Sequence, residues 1–204
     1  MTQLNDVLAC IDGENRVQRV PSTLPVLPMR DMIIYPYVIQ PLCIGREKSR
    51  QALEAAMTEE RHILLLAQHE PTKDDPTAED LFTVGTVAEC LQLLRLPDDT
   101  IRITVEGIAR VKVRQFLKEE PYFEIVGEIL PEVEATGLEV EALIRSVLAL
   151  FEECIHLGNR IPIEALENVR NMAEPGRLAD TIASYLSLTV EQKQQILETI
   201  PTQE

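Results

Sequence analysis

The most regular stretch of the chain is "IRITVEGIARVKV", residues 101–113. Ile101, Ile103, Val105, Ala109, Val111 and Val113 are apolar there, Gly107 stands between the two sets, and Arg102, Thr104, Glu106, Arg110 and Lys112 take the opposite face. Alternation with a period of two predicts a strand packed on one face and wetted on the other. The preceding "VGTVAECLQLLRL" reads as a second strand, and "LPDDT" between them supplies the Pro and Asp of a tight connection. The two are expected to pair as a hairpin. "YFEIVGEIL" adds a strand with Phe123, Ile125 and Ile129 on one face, and "HILLLAQ" is an apolar run of strand length.

Upstream, "LPVLPMRDMIIYPYVIQPLCIGRE" (24–47) has prolines at 25, 28, 36 and 41 in a run otherwise rich in Val, Ile, Leu and Tyr. Proline cannot donate to a sheet ladder, so these imply short, bent strands at a sheet margin. After Gly45, "REKSRQALEAAMTEE" places Leu53, Ala56 and Met57 at helical spacing. "HEPTKDDPTAEDL" reads as a solvated loop, and residues 1–22, polar and without strong periodicity, as a flexible lead-in. Residues 23–131 thus predict an antiparallel, partly closed sheet with one helix.

After Pro131 the period becomes 3.6. Val140, Leu143, Ile144, Val147, Leu148, Phe151 and Ile155 form a wide stripe, expected to pack inside its own bundle, and Gly158 is a plausible stop. Pro162 and Pro175 can each start a helix, the latter carrying Leu178, Ile182 and Tyr185. "TVEQ" at 189–192 has the form of a capping box before Ile196 and Leu197. The fold class is α+β, with a helical half over 132–204 and a boundary near 131–137.

Charge narrows the chemistry. The chain has 19 Lys and Arg against 34 Asp and Glu, a formal charge of −15, which repels nucleic acid and anionic membranes alike. Residues 132–204 hold 5 basic and 13 acidic side chains, so no basic half is hidden. Cys10, Cys43, Cys90 and Cys154 are widely spaced, which suits reduced thiols and a cytoplasmic location. There is no Gly-Lys-Ser/Thr phosphate loop, and "IGREKS" has the wrong order and spacing. His62, His69 and His156 sit in no hydrolase pattern, and Cys154 with His156 lacks a second ligand pair. The acidic loop of Asp74, Asp75, Glu79 and Asp80 lacks the spacing of a calcium loop and reads as solvated charge. Catalytic, cofactor and metal residues are therefore expected to be none.

Binding remains. Tyr35 and Tyr37 flank Pro36, near Met32, and such residues at an irregular sheet edge could engage extended peptide or equally belong to the core. Arg46, Glu47 and Lys48 open the helix and could steer a charged chain or keep the surface soluble. Met32, Tyr35, Pro36, Tyr37, Arg46, Glu47 and Lys48 are the candidate contacts.

Three ordered blocks then carry a family resemblance. "LPVLPMRDMIIYPYVIQPLCIGREKSRQALEAAM", "DDPTAEDLFTVGTVAECLQLLRLPDDTIRITVEGIAR" and "RLADTIASYLSLTVEQKQQILE" together resemble the N-terminal region of bacterial ATP-dependent Lon proteases over residues 24–200. Asp99 departs from the Gly that family often has after the Asp, which disfavours a type I′ turn there. The resemblance implies a PUA-like pseudobarrel followed by a helical bundle. It also implies recruitment of unfolded, damaged or degron-bearing proteins to a hexamer. ATP, Mg and the Ser-Lys protease site would belong to domains C-terminal to this chain, whose end at "ETIPTQE" reads as a truncation. A stand-alone adaptor of the same family is the alternative, and an RNA-binding module is opposed by the acidic surface.

Overall fold

The alternation at 101–113 belongs to an 18-residue strand, β7, around which the first half of the chain is organised. The structure, a computed structural model, describes residues 7–11, 17–97, 100–132, 136–157, 161–172 and 174–199. Two compact units result, Met1–Pro131 and Glu132–Glu204. The first contains β1 (Val7–Ile11), β2 (Val17–Pro21), β3 (Thr23–Met29), β4 (Ile39–Ile44), α1 (Glu47–Thr58), β5 (His62–Ala67), β6 (Val84–Arg95), β7 (Ile101–Lys118) and β8 (Glu124–Ile129).

Six strands pair in the order β4-β7-β6-β5-β3-β8, and a further β7–β8 pairing closes β7-β6-β5-β3-β8 into a ring. One edge of β7 pairs with β6 over residues 101–112. Its other edge serves β4 over 101–106 and β8 over 111–118. Gly107 lies where that edge changes partner. Its N–H donates to the Val38 carbonyl at 3.0 Å and its own carbonyl accepts from the Tyr37 N–H at 2.8 Å. A Cβ at Gly107 would lie 2.2 Å from the Tyr35 carbonyl oxygen, so the close approach needs glycine.

The β6–β7 hairpin forms as the pattern predicts, although its turn at Asp98 and Asp99 lies outside the described residues. The expectation of an antiparallel sheet is corrected at one place: β3 and β5 are parallel, Val26 opposite Leu64 through Met29 opposite Ala67. Parallel neighbours need a long crossover, and the segment carrying β4 and α1 supplies it. All six residues of β5 are buried, which is why "HILLLA" shows no alternation.

Nor is β3 a sheet margin, since it lies between β5 and β8. Its prolines are tolerated by parity. Ser22 and Val26 bond toward β8, accepting from Gly127 N–H and donating to the Phe123 carbonyl, both at 2.8 Å. Even positions therefore face β8 and odd positions face β5. Pro25 turns its nitrogen toward β5 one residue before that pairing starts at Val26. Pro28 turns toward β8 after that pairing has ended at Pro25. Pro41 does lie at an edge, on β4, whose one sheet neighbour among the described residues is β7.

Two clusters fill the two faces. Leu27, Ile34, Leu42, Leu53, Ile63, Ile103 and Val105 pack with α1. Leu24, Val26, Leu64, Leu66, Val87, Val111, Phe123 and Ile125 form the other. The lead-in reading of 1–22 is corrected where the structure describes it: β1 and β2 pair antiparallel, Val20 is buried in the second cluster and Leu8 packs against it. Isolated apolar residues in a polar stretch have no local period, so their role is visible only once the sheet offers a surface.

The second unit contains α2 (Leu138–His156), α3 (Glu164–Arg170), α4 (Pro175–Tyr185) and α5 (Val190–Glu198). Phe151, Ile161, Leu166, Val169, Leu178 and Ile182 form its core, with Ile144, Leu148, Ile155 and Tyr185 against it. Pro175 occupies the first turn of α4. Thr189 caps α5 by accepting from Gln192 N–H at 3.3 Å, while the Gln192 side chain accepts from Thr189 N–H at 3.0 Å. Pro162 lies two residues ahead of α3, and Gly158 is outside the described residues. The wide stripe splits: Leu143 and Val147 are exposed instead of packed against this core.

Tyr35 is 0% exposed and ranks among the largest fully buried side chains. Tyr35→Ser is expected to destabilise the chain by about 3–5 kcal/mol through the cavity it leaves. Tyr37→Ser, at a half-buried position, should cost far less. Urea denaturation of the two variants side by side checks the difference.

Candidate functional site

At the start of α1, Arg46 is half-buried in extended backbone. Its Nη1 donates to the Gln68 Oε1 at 2.8 Å and to the Asp74 carbonyl at 3.4 Å. Its Nη2 donates to the Pro28 carbonyl at 3.1 Å, the oxygen freed where the β8 ladder ends. Gln68, itself fully buried, donates from Nε2 to the carbonyls of Glu70 at 3.2 Å and Lys73 at 2.9 Å. Lys48 Nζ bridges Asp75 at 2.9 Å and Glu120 at 2.8 Å, 5.4 Å from the centre of the Phe123 ring. Arg30 holds Asp74 at 2.6 Å. Pro28, Arg46, Lys48, Asp75, Pro76 and Phe123 are among the residues that line a cleft of about 210 Å³ here.

The cleft is thus an intramolecular clasp. Arg46, Lys48 and Gln68 tie the acidic segment 70–80 to the helix start, and Lys73 pairs with Asp80 at 2.6 Å inside that segment. Thr77 and Asp80 close a capping box around a single 3₁₀ turn. Hydrogen bonds from Lys73 and Thr77 hold the Asp80 carboxyl down to about 2. Hydrogen bonds to Glu120 and Asp75 raise Lys48, whereas burial and then Arg30 lower Arg46. Glu47 is exposed and spends its carboxylate on Arg50 and Gln51 of its own helix, which lowers its pKa. Among the described residues, no group of three or more His, Cys, Asp and Glu could hold a metal ion. None of their helices is long and apolar enough to cross a membrane.

The structure brings Arg46, Glu47 and Lys48 together on this cleft, and none of Met32, Tyr35, Pro36 and Tyr37 lines it. Tyr35 and Pro36 are buried, so of the two readings of this stretch the core one holds for them and they are no exposed contacts. Met32 is half-buried against the first core cluster. Tyr37 is half-buried in the left-handed region, φ 64°, where the turn bends toward Gly107.

A surface the sequence reading passed over lies on the wetted face of β4, β7 and β6. Register sets Cys43, Arg102 and Leu94 in one row and Pro41, Thr104 and Gln92 in the next, with Ile39 opposite Glu106 at the end. Ile39 is 57% and Leu94 52% exposed, and Leu91, at the register shift between Cys90 and Gln92, is exposed as well. Broken alternation in "CLQLLRL" was the available signal: three leucines in four positions cannot share one face of a strand.

Removing the Arg46 fork leaves the buried Gln68 oxygen without its donor, so Arg46→Met is expected to cost about 1–3 kcal/mol, and Arg46→Lys to restore little because an ammonium cannot span both acceptors. Thermal unfolding of the two variants checks this. The depressed Asp80 carboxyl holds its clasp fully above about pH 4 and loses it as pH falls through about 2. Amide chemical shifts of segment 70–80, followed from neutral pH downward, should move together over that window and lose the transition in Asp80→Asn.

The sequence profile of the "ATP-dependent protease La (LON) substrate-binding domain" matches residues 23–204. The Lon protease of Desulforamulus reducens is 48% identical over 179 residues, 88% of this chain and 22% of that protein. The Lon protease of Brevibacillus choshinensis is 46% identical over 181 residues, 89% of this chain and 23% of that protein. The chain thus spans under a quarter of the length of these relatives. Among solved structures, the N-terminal domain of Mycobacterium avium complex Lon protease superposes with a TM-score of 0.68 at 26% identity, covering 88% of this chain and 91% of that one. The Lon N-terminal domain protein from Xanthomonas campestris shares the fold, TM-score 0.61 at 12% identity, over 87% of this chain and 90% of that one. The α+β chain with its mixed six-stranded sheet therefore belongs to the Lon protease substrate-binding domain family.

Proposed function

We propose that this chain is the non-catalytic N-terminal domain of an ATP-dependent Lon protease in the cytoplasm, where it captures unfolded, damaged or degron-bearing proteins for a hexameric machine. ATP, Mg and the Ser-Lys peptidase site belong, in this reading, to domains outside the chain, which has no glycine-rich phosphate loop of its own. The ring closure of the β-rich unit supports a PUA-like description.

The observation that carries the reading is the contrast between the two candidate surfaces. At the cleft, cations already have acidic partners within the chain. On the face of β4, β7 and β6, Ile39, Leu91 and Leu94 have no such cover and stand beside an edge strand. Exposed apolar residues beside free backbone groups suit an extended, unfolded polypeptide. Such a client loses conformational freedom on binding, so each site is weak, and several copies in one ring compensate through effective concentration.

Fluorescence anisotropy with a permanently unfolded protein and its folded counterpart is expected to show binding of the unfolded form alone, without cleavage. Ile39→Asp and Leu94→Asp should weaken that binding roughly tenfold, about 1.4 kcal/mol, while stability changes by about 0.5 kcal/mol or less. Equal binding of folded and unfolded forms, or undiminished binding by both variants, overturns the assignment.

A further inference from the structure

The row of side chains that ends at Ile39 crosses four strands. Ile39 lies opposite Glu106, Glu106 opposite Glu89, and Glu89 opposite His62, all on the face turned away from α1. Two carboxylates thus face each other directly across β6 and β7, a like-charge arrangement that weakens a sheet. Both residues are half-buried. Among the described residues neither has a hydrogen bond to its side chain or a cation for a partner. The arginines nearest to Glu106 along β7, Arg102 and Arg110, each stand four residues away, about 13 Å at 3.4 Å per residue.

His62 does not supply a countercharge. It is only 8% exposed, and burial pushes its imidazole down although Glu89 and then Glu60 push it up. A neutral imidazole keeps one nitrogen as an acceptor, and neither ring nitrogen has a hydrogen-bond partner within the chain. Two carboxylates and a buried acceptor therefore stand in one row, at the end of the apolar face where Ile39 is exposed.

We infer that this row reads a basic side chain of the client: an extended segment lies across β4, β7 and β6 with apolar side chains on Ile39 and Leu94 and a lysine or arginine head at Glu89 and Glu106. The inference rests on the proposed function, whose client face it shares, and adds the charge of the segment which that face selects. A cation placed there relieves the repulsion between the two glutamates. A client carboxylate meets two like charges instead, and the field of a chain of net charge −15 steers basic segments inward and acidic ones away. The apolar residues hold any unfolded segment, and the glutamate pair discriminates among segments by attraction and repulsion together.

Three labelled peptides of alternating leucine and serine, alike except for a central lysine, glutamine or glutamate, test this by fluorescence anisotropy on the 204-residue chain. The lysine peptide is expected to bind about fivefold more tightly than the glutamine peptide, as for one partly exposed ion pair, and the glutamate peptide more weakly than either. Glu89→Gln combined with Glu106→Gln should abolish the lysine preference, keep the affinity for the glutamine peptide and raise the melting temperature, because the opposed charges are gone. Glu164→Gln combined with Glu167→Gln removes the same charge from exposed positions on α3 and should leave the preference intact. Equal binding of the lysine and glutamine peptides overturns the inference and leaves client capture standing. So does a preference that survives in the Glu89 and Glu106 variant, one that disappears in the α3 variant as well, or a fall in melting temperature on removing the pair. Binding of none of the three peptides overturns the client face and the inference together.

Discussion

The first unit depends on the backbone hydrogen bonds along the outer edge of β7. That edge serves β4 and then β8, so one strand belongs both to the ribbon that leaves the ring and to the ring itself. The change of partner requires the turn after Tyr35 to lie against Gly107 closely enough for two backbone bonds. The turn in turn needs Tyr37 in the left-handed region and Tyr35 fully buried beneath it. Gly107, Tyr37 and Tyr35 are therefore one constraint, met jointly by a missing side chain, a strained backbone and a filled core.

The same economy explains why the charged start of α1 is not an open site. Pro28 leaves a carbonyl that the sheet no longer uses, and Arg46 takes it while gripping Gln68 and the acidic segment. In a chain of net charge −15, a cation that reaches solvent has many carboxylates to choose from. The apolar residues on the outer face of β4 and β6 have no such internal competitor. Their exposure is a property of the ribbon, whose other face is already packed on α1.

The two units present different kinds of apolar surface. The ribbon's is irregular, with a proline, a thiol and a register shift among its leucine and isoleucine positions, which suits a variable partner. That of α2 is periodic, with Leu143, Leu150 and Leu157 at seven-residue spacing.

Element type was largely legible in the residue pattern. Alternation located β6 and β7, helical spacing located α1, α2 and α4, and the capping box located α5, because each is a local periodicity of side-chain direction. The division into β-rich and helical halves follows from the change in period after Pro131. Of the candidate site, the sequence placed Arg46, Glu47 and Lys48 on one helix start but could not say that all three were already engaged within the chain. It left Tyr35 open between contact and core because a ring beside prolines reads the same whether it lies over or under the turn. The parallel pairing of β3 with β5, the parity that accommodates Pro25 and Pro28, the burial of Val20 and the exposure of Leu143 and Val147 in the α2 stripe were decided by tertiary structure. Each depends on which neighbour lies opposite a residue, and local spacing determines only the direction in which a side chain points.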